Sequence, residues 1–205
     1  MTTFFSACVL AYLIGSLSSA LILTRMLSLE DPRLHGSGNA GTTNVLRQTG
    51  WKLALFVLIG DMLKGLFSLY TAHWIGVSDT VLGWLALVCM IGHIFPIFFH
   101  GKGGKGVATF IGGCFGLSFK LGFSLALTWM IVLTLTRYAS LASISTAVMA
   151  PLIAMMLQLN LHSLPLLVMA AIIVLTHRDN IQRLLKHEEN QVNWRHKRKK
   201  TQAKS

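Results

Sequence analysis

The chain has 205 residues, of which 53% are hydrophobic and only 12% charged, with a formal net charge of +11. Soluble domains carry about 25% charged residues, so this composition excludes an ordinary soluble globular protein and points to a polytopic membrane protein. Cys8, Cys89 and Cys114 all fall in apolar runs, which excludes a disulfide framework or a spaced metal site and reads as buried thiols.

A spanning helix needs about 20 mostly apolar residues, and residues 4–24 form the first such run. The first basic residue, Arg25, comes after it. A cleaved signal peptide needs positive charge ahead of its apolar core, so this span is expected to stay in place. A polar loop follows, and residues 35–47 read HGSGNAGTTNVLR. Gly36, Gly38 and Gly41 alternate there with Ser37, Asn39, Thr42, Thr43 and Asn44, and Arg47 closes the run. Small residues let a backbone approach a ligand, hydroxyls and amides supply neutral donors, and a guanidinium is a planar fork suited to phosphate. An ordinary surface turn is the alternative, but it does not need that density of donors.

The second run, residues 53–74, carries Asp61 and Lys64 in its middle. Ionisable residues are costly in lipid and face a partner or a cavity; the alternative is an intrahelical pair that only neutralises itself. The third run, residues 80–99, holds His93 ahead of Pro96. A lone histidine is more often a satisfied hydrogen-bonding residue than a catalyst, and His73, His100 and His162 take that reading.

Residues 100–109 then read HGKGGKGVAT. Gly101, Gly103 and Gly106 spell G-x-G-x-x-G, but the dinucleotide fingerprint needs a preceding strand in a βαβ unit. A Walker loop needs Ser or Thr after its Gly-Lys pair, and here Gly104-Lys105 is followed by Gly106. What survives is an anion site: loop N–H groups around Gly103, Gly104 and Gly106, the ammonium groups of Lys102 and Lys105, and a helix start at Val107.

Residues 107–136 form one apolar stretch, roughly 45 Å long as a single helix against a bilayer core of about 30 Å. Gly112, Gly113 and Gly116, followed by Ser118 and Lys120, offer a break, which predicts a short segment over 107–117 and a longer one over 121–136. Spans over 141–158 and 159–176 follow, the last carrying Asn160 and His162 at its start. Directly after it comes HRDNIQRL, residues 177–184. A basic flank accounts for Arg178 and Arg183 there but not for His177 and Asn180, three apart on one helical face. The cluster WRHKRKKTQAK, residues 194–204, reads as a membrane-flanking anchor that touches anionic lipid. A tail tied to a bilayer argues against nucleic acid as a partner.

Charge sets the expected topology. Loop 25–52 holds Arg25, Arg33, Arg47 and Lys52, loop 100–106 holds Lys102 and Lys105, and nine Lys or Arg follow Thr176. Lys/Arg-rich loops stay cytoplasmic. Seven spans with the N-terminus outside place all three basic regions and the C-terminus in the cytoplasm and misplace only Lys120, whereas six would put the tail on the opposite side. The fold class expected is therefore an all-α polytopic membrane protein of seven transmembrane helices. It forms a single domain over 1–205, with a basic cytoplasmic tail from about 185.

The three polar stretches resemble the motif blocks of the bacterial acyl-phosphate:glycerol-3-phosphate acyltransferases, the PlsY family, which read roughly GSGNxGxTNxLR, GHxxPxFxxFKGGKGVAT and HRxNIxRL. The first stands intact at Gly36 to Arg47 and the third at His177 to Leu184. In the second, Gly92 to Thr109, His100-Gly101 replaces the phenylalanine-like pair before Lys102. Arg25 and the Asp-x-x-Lys-Gly run at Asp61 to Gly65 also fit, so the resemblance covers nearly the whole chain.

The resemblance implies transfer of a fatty acyl group from acyl phosphate to the 1-hydroxyl of glycerol 3-phosphate, yielding lysophosphatidate and inorganic phosphate. This is the first step of bacterial phospholipid synthesis, at the cytoplasmic face of the inner membrane. Acyl phosphate is a mixed anhydride with a good leaving group, so orientation and charge stabilisation suffice without an acyl-enzyme. No histidine has Asp five positions later, as acyl-CoA-using glycerolipid acyltransferases require, and no G-x-S-x-G elbow is present. The expected catalytic set is Ser37, Arg47 and Lys105 on the phosphates, with His177 and Asn180 positioning glycerol 3-phosphate or its hydroxyl. Gly38, Asn39, Gly41, Thr43, Asn44, His93, Lys102, Gly103, Gly104 and Gly106 are expected to complete the binding surface. The general base is either His177 or a substrate phosphate oxygen. No metal and no cofactor are expected. Expected partners are glycerol 3-phosphate, acyl phosphate, membrane lipid and the enzyme that produces acyl phosphate. A small organic-phosphate transporter is the rival reading, but the chain shows no corresponding pair of broken helices in two halves.

Overall fold

A computed structural model describes residues 2–192. The cluster at 194–204 lies outside the described residues. Ten α-helices make up the described chain: α1 (Thr2–Gly15), α2 (Ser19–Met26), α3 (Thr42–Thr49), α4 (Trp51–Trp74), α5 (Leu82–Ile94), α6 (Val107–Leu117), α7 (Phe119–Thr136), α8 (Ala139–Met156), α9 (Ser163–Thr176) and α10 (Arg178–Leu185). Short 3-10 turns stand at Pro32–Leu34, Asp79–Val81, Ile97–Phe99 and Asn160–His162.

Four helical segments are long and apolar enough to cross a membrane, and counting each of two bent helix pairs as one crossing brings the number to six. The bent pairs are α1 with α2, at 44°, and α9 with α10, at 61°. Large apolar side chains such as Phe5, Phe56, Phe119, Phe123 and Leu135 stand exposed around the bundle, as a lipid-facing surface requires.

The break expected after Leu117 is present. Ser118 is extended, with φ −163° and ψ 130°, and its N–H closes α6 on the Cys114 carbonyl at 3.0 Å. The short α6 is buried from Thr109 to Cys114, which explains how eleven residues are held at depth by neighbours. Its tightest partner is α4. A Cβ on Gly65 would overlap the Thr109 carbonyl oxygen, and one on Gly112 would overlap the Met62 carbonyl. These glycines let the two backbones touch, as small residues do in membrane helix pairs.

The run 4–24 is not one continuous helix. The helix breaks between Gly15 and Ser19. Ser18 caps α2 by accepting the Leu21 N–H at 3.4 Å, and the freed Leu17 carbonyl accepts a hydrogen bond from Lys64 Nζ at 2.8 Å. A side chain of another helix thus takes over a backbone acceptor that the break releases.

Candidate active site

The first polar loop is organised by Asn44, which is buried on α3. Its Nδ2 donates to the carbonyls of Pro32, His35 and Asn39 at 2.7, 3.1 and 2.9 Å, and its Oδ1 accepts the Ser37 N–H at 3.1 Å. Gly36 and Gly38 adopt left-handed φ values of 63° and 68° to make this turn. Asn44, expected as a ligand donor, therefore spends its amide on the loop itself. Arg33 staples this loop to the second one. It pairs with Asp31 at 2.7 Å and donates to the Phe99 carbonyl at 3.0 Å. The Arg33 guanidinium holds the Asp31 carboxyl below its ordinary value.

The second loop also turns much of its backbone inward. The N–H groups of Gly103 and Gly104 donate to the Ile94 and His93 carbonyls at 3.1 and 3.2 Å. In the structure these two N–H groups shape the loop. What this loop offers instead is the start of α6 at Gly106, Val107 and Ala108. With Gly41, Thr42 and Thr43 at the start of α3, two helix N-termini meet at one cavity, and the leading N–H groups of a helix have no partner within it.

That cavity has a volume of about 340 Å³. One part of its lining is polar: Ser37, Arg47, Lys105, His177, Asn180 and Glu189. Another part is apolar: Leu58, Met62, Ile111, Ala126, Trp129 and Met130. All five residues expected to be catalytic line it, as do Asn39, Gly41, Thr43, Asn44, His93 and Gly106. Gly38, Lys102, Gly103 and Gly104 are not among its lining residues, and Lys102 is exposed.

The polar lining is a connected network. Lys105 Nζ donates to Asn180 Oδ1. Asn180 Nδ2 donates to Glu189 Oε1 at 2.7 Å, which also accepts from Ser140 Oγ at 2.9 Å, while Glu189 Oε2 accepts from Arg183 Nε at 2.7 Å. Arg47 Nη2 donates to the Asn190 carbonyl at 3.0 Å, and the Val192 N–H reaches the Arg137 carbonyl at 2.8 Å. Residues 187–192 thus turn back across the site. Glu189, Ser140, Ser143 and Trp129, which also line the cavity, are not among the residues expected from the sequence. Only chain reversal and helix packing bring them in, and no local motif signals either.

Electrostatics follow from this crowding. Burial first, and the charge of Arg183 next, lower the Lys105 amine to about 8; Glu189 and Asp179 oppose the shift and Arg47 adds to it. Burial and then Lys105 lower His177 to about 4. Its Nδ1 lies 2.8 Å from the Ile173 carbonyl, so the neutral ring donates there and leaves Nε2 as an acceptor. Burial raises Glu189, but the hydrogen bonds from Arg183, Asn180 and Ser140 outweigh it and hold the carboxyl below its ordinary value. Among the described residues no group of three or more His, Cys, Asp or Glu is placed to hold a metal ion.

The sequence profile of the glycerol-3-phosphate acyltransferase family matches residues 5–187. A glycerol-3-phosphate acyltransferase of Shewanella sediminis (strain HAW-EB3) is 46% identical over 187 residues, covering 91% of this chain and 93% of that protein. One of Coxiella burnetii (strain Dugway 5J108-111) is 42% identical over 189 residues, covering 92% and 98%. The crystal structure of PlsY (YgiH), an integral membrane glycerol 3-phosphate acyltransferase, in its glycerol 3-phosphate form superimposes with a TM-score of 0.85 at 35% identity, covering 94% of this chain and 96% of that one. Its lysophosphatidic acid form gives 0.84 at 34% identity, covering 95% and 97%. The chain belongs to the PlsY family of glycerol-3-phosphate acyltransferases.

Proposed function

We propose that this family member transfers a fatty acyl group from acyl phosphate to the 1-hydroxyl of glycerol 3-phosphate, releasing lysophosphatidate and inorganic phosphate, as the first step of bacterial phospholipid synthesis. The observation that carries this reading is the double character of one cavity. Lys105, Arg47 and two helix N-termini suit phosphate, and Leu58, Met62, Ile111, Trp129 and Met130 suit an alkyl chain. A soluble phosphorylated acceptor and a lipid-phase donor need both.

In this reaction the acceptor hydroxyl oxygen attacks the acyl carbon, the bond from that carbon to the phosphate oxygen breaks, and phosphate leaves with the electron pair. Ser37, Arg47 and Lys105 hold the phosphates. Asn180, fixed between Lys105 and Glu189, and His177 orient glycerol 3-phosphate. A ring that titrates near 4 is a weak base at neutral pH. A phosphate monoester, with a second pKa near 6, matches the operating pH better, so the hydroxyl proton goes to a phosphate oxygen.

We place the site at the cytoplasmic face of the inner membrane, with the N-terminus outside and seven crossings. The two bent pairs each count as one crossing, and the buried α6 is the seventh. All three basic regions then lie inside. An impermeant maleimide applied to intact cells should label Asp79→Cys and spare His100→Cys; the reverse pattern overturns this orientation.

The reaction is tested with purified protein in detergent, labelled glycerol 3-phosphate, and either palmitoyl phosphate or palmitoyl-CoA. Lysophosphatidate should form from the phosphate donor alone. Product from the CoA donor alone, or from neither, refutes the assignment.

A further inference from the structure

Lys64 lies in the middle of α4, with a side chain only 6% exposed, and it uses all three ammonium hydrogens. They meet Asp61 Oδ1 at 2.9 Å, the Leu17 carbonyl at 2.8 Å and His93 Nδ1 at 2.7 Å. Asp61 Oδ1 also accepts the Ser19 N–H at 3.4 Å. One ion pair therefore joins α4 to the α1–α2 break and to α5. A pair that merely neutralised itself within a helix needs none of these outside bonds.

An ammonium has no acceptor lone pair, so Nδ1 of His93 must accept, and the ring carries its hydrogen on Nε2. That edge of the ring abuts the second loop. A Cβ built on Gly104 would run into His93 Nε2 and lie 2.7 Å from Cε1 and 3.1 Å from the Ala40 carbonyl. The His93 carbonyl also accepts the Gly104 N–H at 3.2 Å. Ring and backbone of one residue thus grip Gly104 from two directions, next to Lys105 and against the residue that precedes Gly41. Asp61 and His93 both reach the cavity lining.

We propose that Lys64 is a positioning residue for acyl transfer: with Asp61 as its counter-charge it fixes the ring and tautomer of His93, which seats Gly104 and so sets where the Lys105 amine enters the cavity. The inference rests on the reading of Lys105 as a phosphate-binding cation. Lys64 and Gly104 are not among the residues that line the cavity, so both act through their neighbours. A loop displaced by about 1 Å is enough to cost about 10²-fold in rate.

The test uses the full-length protein in detergent with ¹⁵N-labelled imidazoles, the His93 signals being identified by their loss in His93→Gln. Wild type should show a single neutral Nε2–H tautomer at His93. An imidazolium or an Nδ1–H tautomer overturns the proposal, and this needs no folded variant. The paired variant Asp61→Asn with Lys64→Met removes both charges together and so leaves neither uncompensated. It should lose the single tautomer, and kcat/KM for glycerol 3-phosphate should fall by about 10²-fold. An unchanged kcat/KM, or a loss of activity with the His93 signature intact, also overturns it. If wild type shows the Nε2–H tautomer but makes no lysophosphatidate from palmitoyl phosphate, the proposed reaction fails instead, and the two failures remain distinct.

Discussion

Burial lowers the Lys105 amine to about 8, so the proposed chemistry carries its own pH signature. Phosphate binding by Lys105 needs the ammonium. With a value of about 8, the free enzyme is about nine-tenths charged at pH 7 and about one-tenth charged at pH 9. The kcat/KM for glycerol 3-phosphate should therefore fall roughly tenfold across that interval. A bound phosphate dianion stabilises the ammonium, so the alkaline limb of kcat should lie at higher pH than that of kcat/KM. Two variants assign the limb. Lys105→Arg retains charge throughout the range, so whatever activity it keeps should show no alkaline limb. Arg183→Gln removes the largest charge that depresses the amine, so its limb should move upward. The assay is initial-rate lysophosphatidate formation with palmitoyl phosphate, corrected for spontaneous hydrolysis at each pH. A level profile through pH 9, or a limb that survives in Lys105→Arg, refutes the role given to this amine.

Three further substitutions probe the parts around it. Glu189→Gln leaves the Arg183 guanidinium facing an amide and loosens Asn180; it should cost about 2 kcal/mol of stability in a denaturant series and lower kcat in proportion to the loss of Asn180 order. Trp129→Ala empties part of the apolar lining and frees Ser143 Oγ, which the indole Nε1 meets at 3.2 Å; KM for palmitoyl phosphate should rise about tenfold, with KM for glycerol 3-phosphate little changed. Gly65→Ala meets backbone on α6 on both sides, with Gly113 N 2.7 Å from the new Cβ, and neither can yield; a loss of about 1–3 kcal/mol should appear as a lower thermal midpoint in detergent.

The sequence makes some of these parts legible and hides others for physical reasons. The α6–α7 break is readable because length, glycine density and charge each argue for it independently. The α1–α2 break is harder to read: residues 4–24 carry no charge, the cluster Gly15, Ser16, Ser18 and Ser19 is a weak signal, and the bend is stabilised from outside by Lys64. Lys102 and Lys105 share one loop and look alike in sequence. Yet Lys102 is exposed, and Lys105 is half-buried with Asn180 as its acceptor. Gly103 and Gly104 between them are tied by their N–H groups to the Ile94 and His93 carbonyls, and composition does not encode that anchoring. Glu189 escapes for another reason. It stands at the edge of a basic tail, and only the reversal after α10 brings it beneath Asn180.

The direct transfer proposed above, without an acyl-enzyme, can be tested at Ser37. A serine nucleophile needs a base within hydrogen-bond reach. His177 commits Nδ1 to the Ile173 carbonyl and titrates near 4, and His93 commits Nδ1 to Lys64. Ser140 is bonded to Glu189, and Ser143 donates to the Ala139 carbonyl at 2.7 Å. Among the described residues, no histidine is hydrogen-bonded to the Ser37 hydroxyl, which lines the cavity beside cations and helix N-termini. Its proposed part is to hold a phosphate. Ser37→Ala should lose one charge-assisted hydrogen bond, about 1.5–3 kcal/mol, and so slow kcat/KM by about 10- to 10²-fold without abolishing turnover. Wild-type protein incubated with palmitoyl phosphate alone should show no covalent adduct by intact mass. A palmitoyl adduct that disappears in Ser37→Ala, together with complete loss of turnover in that variant, would make Ser37 a nucleophile and overturn direct transfer.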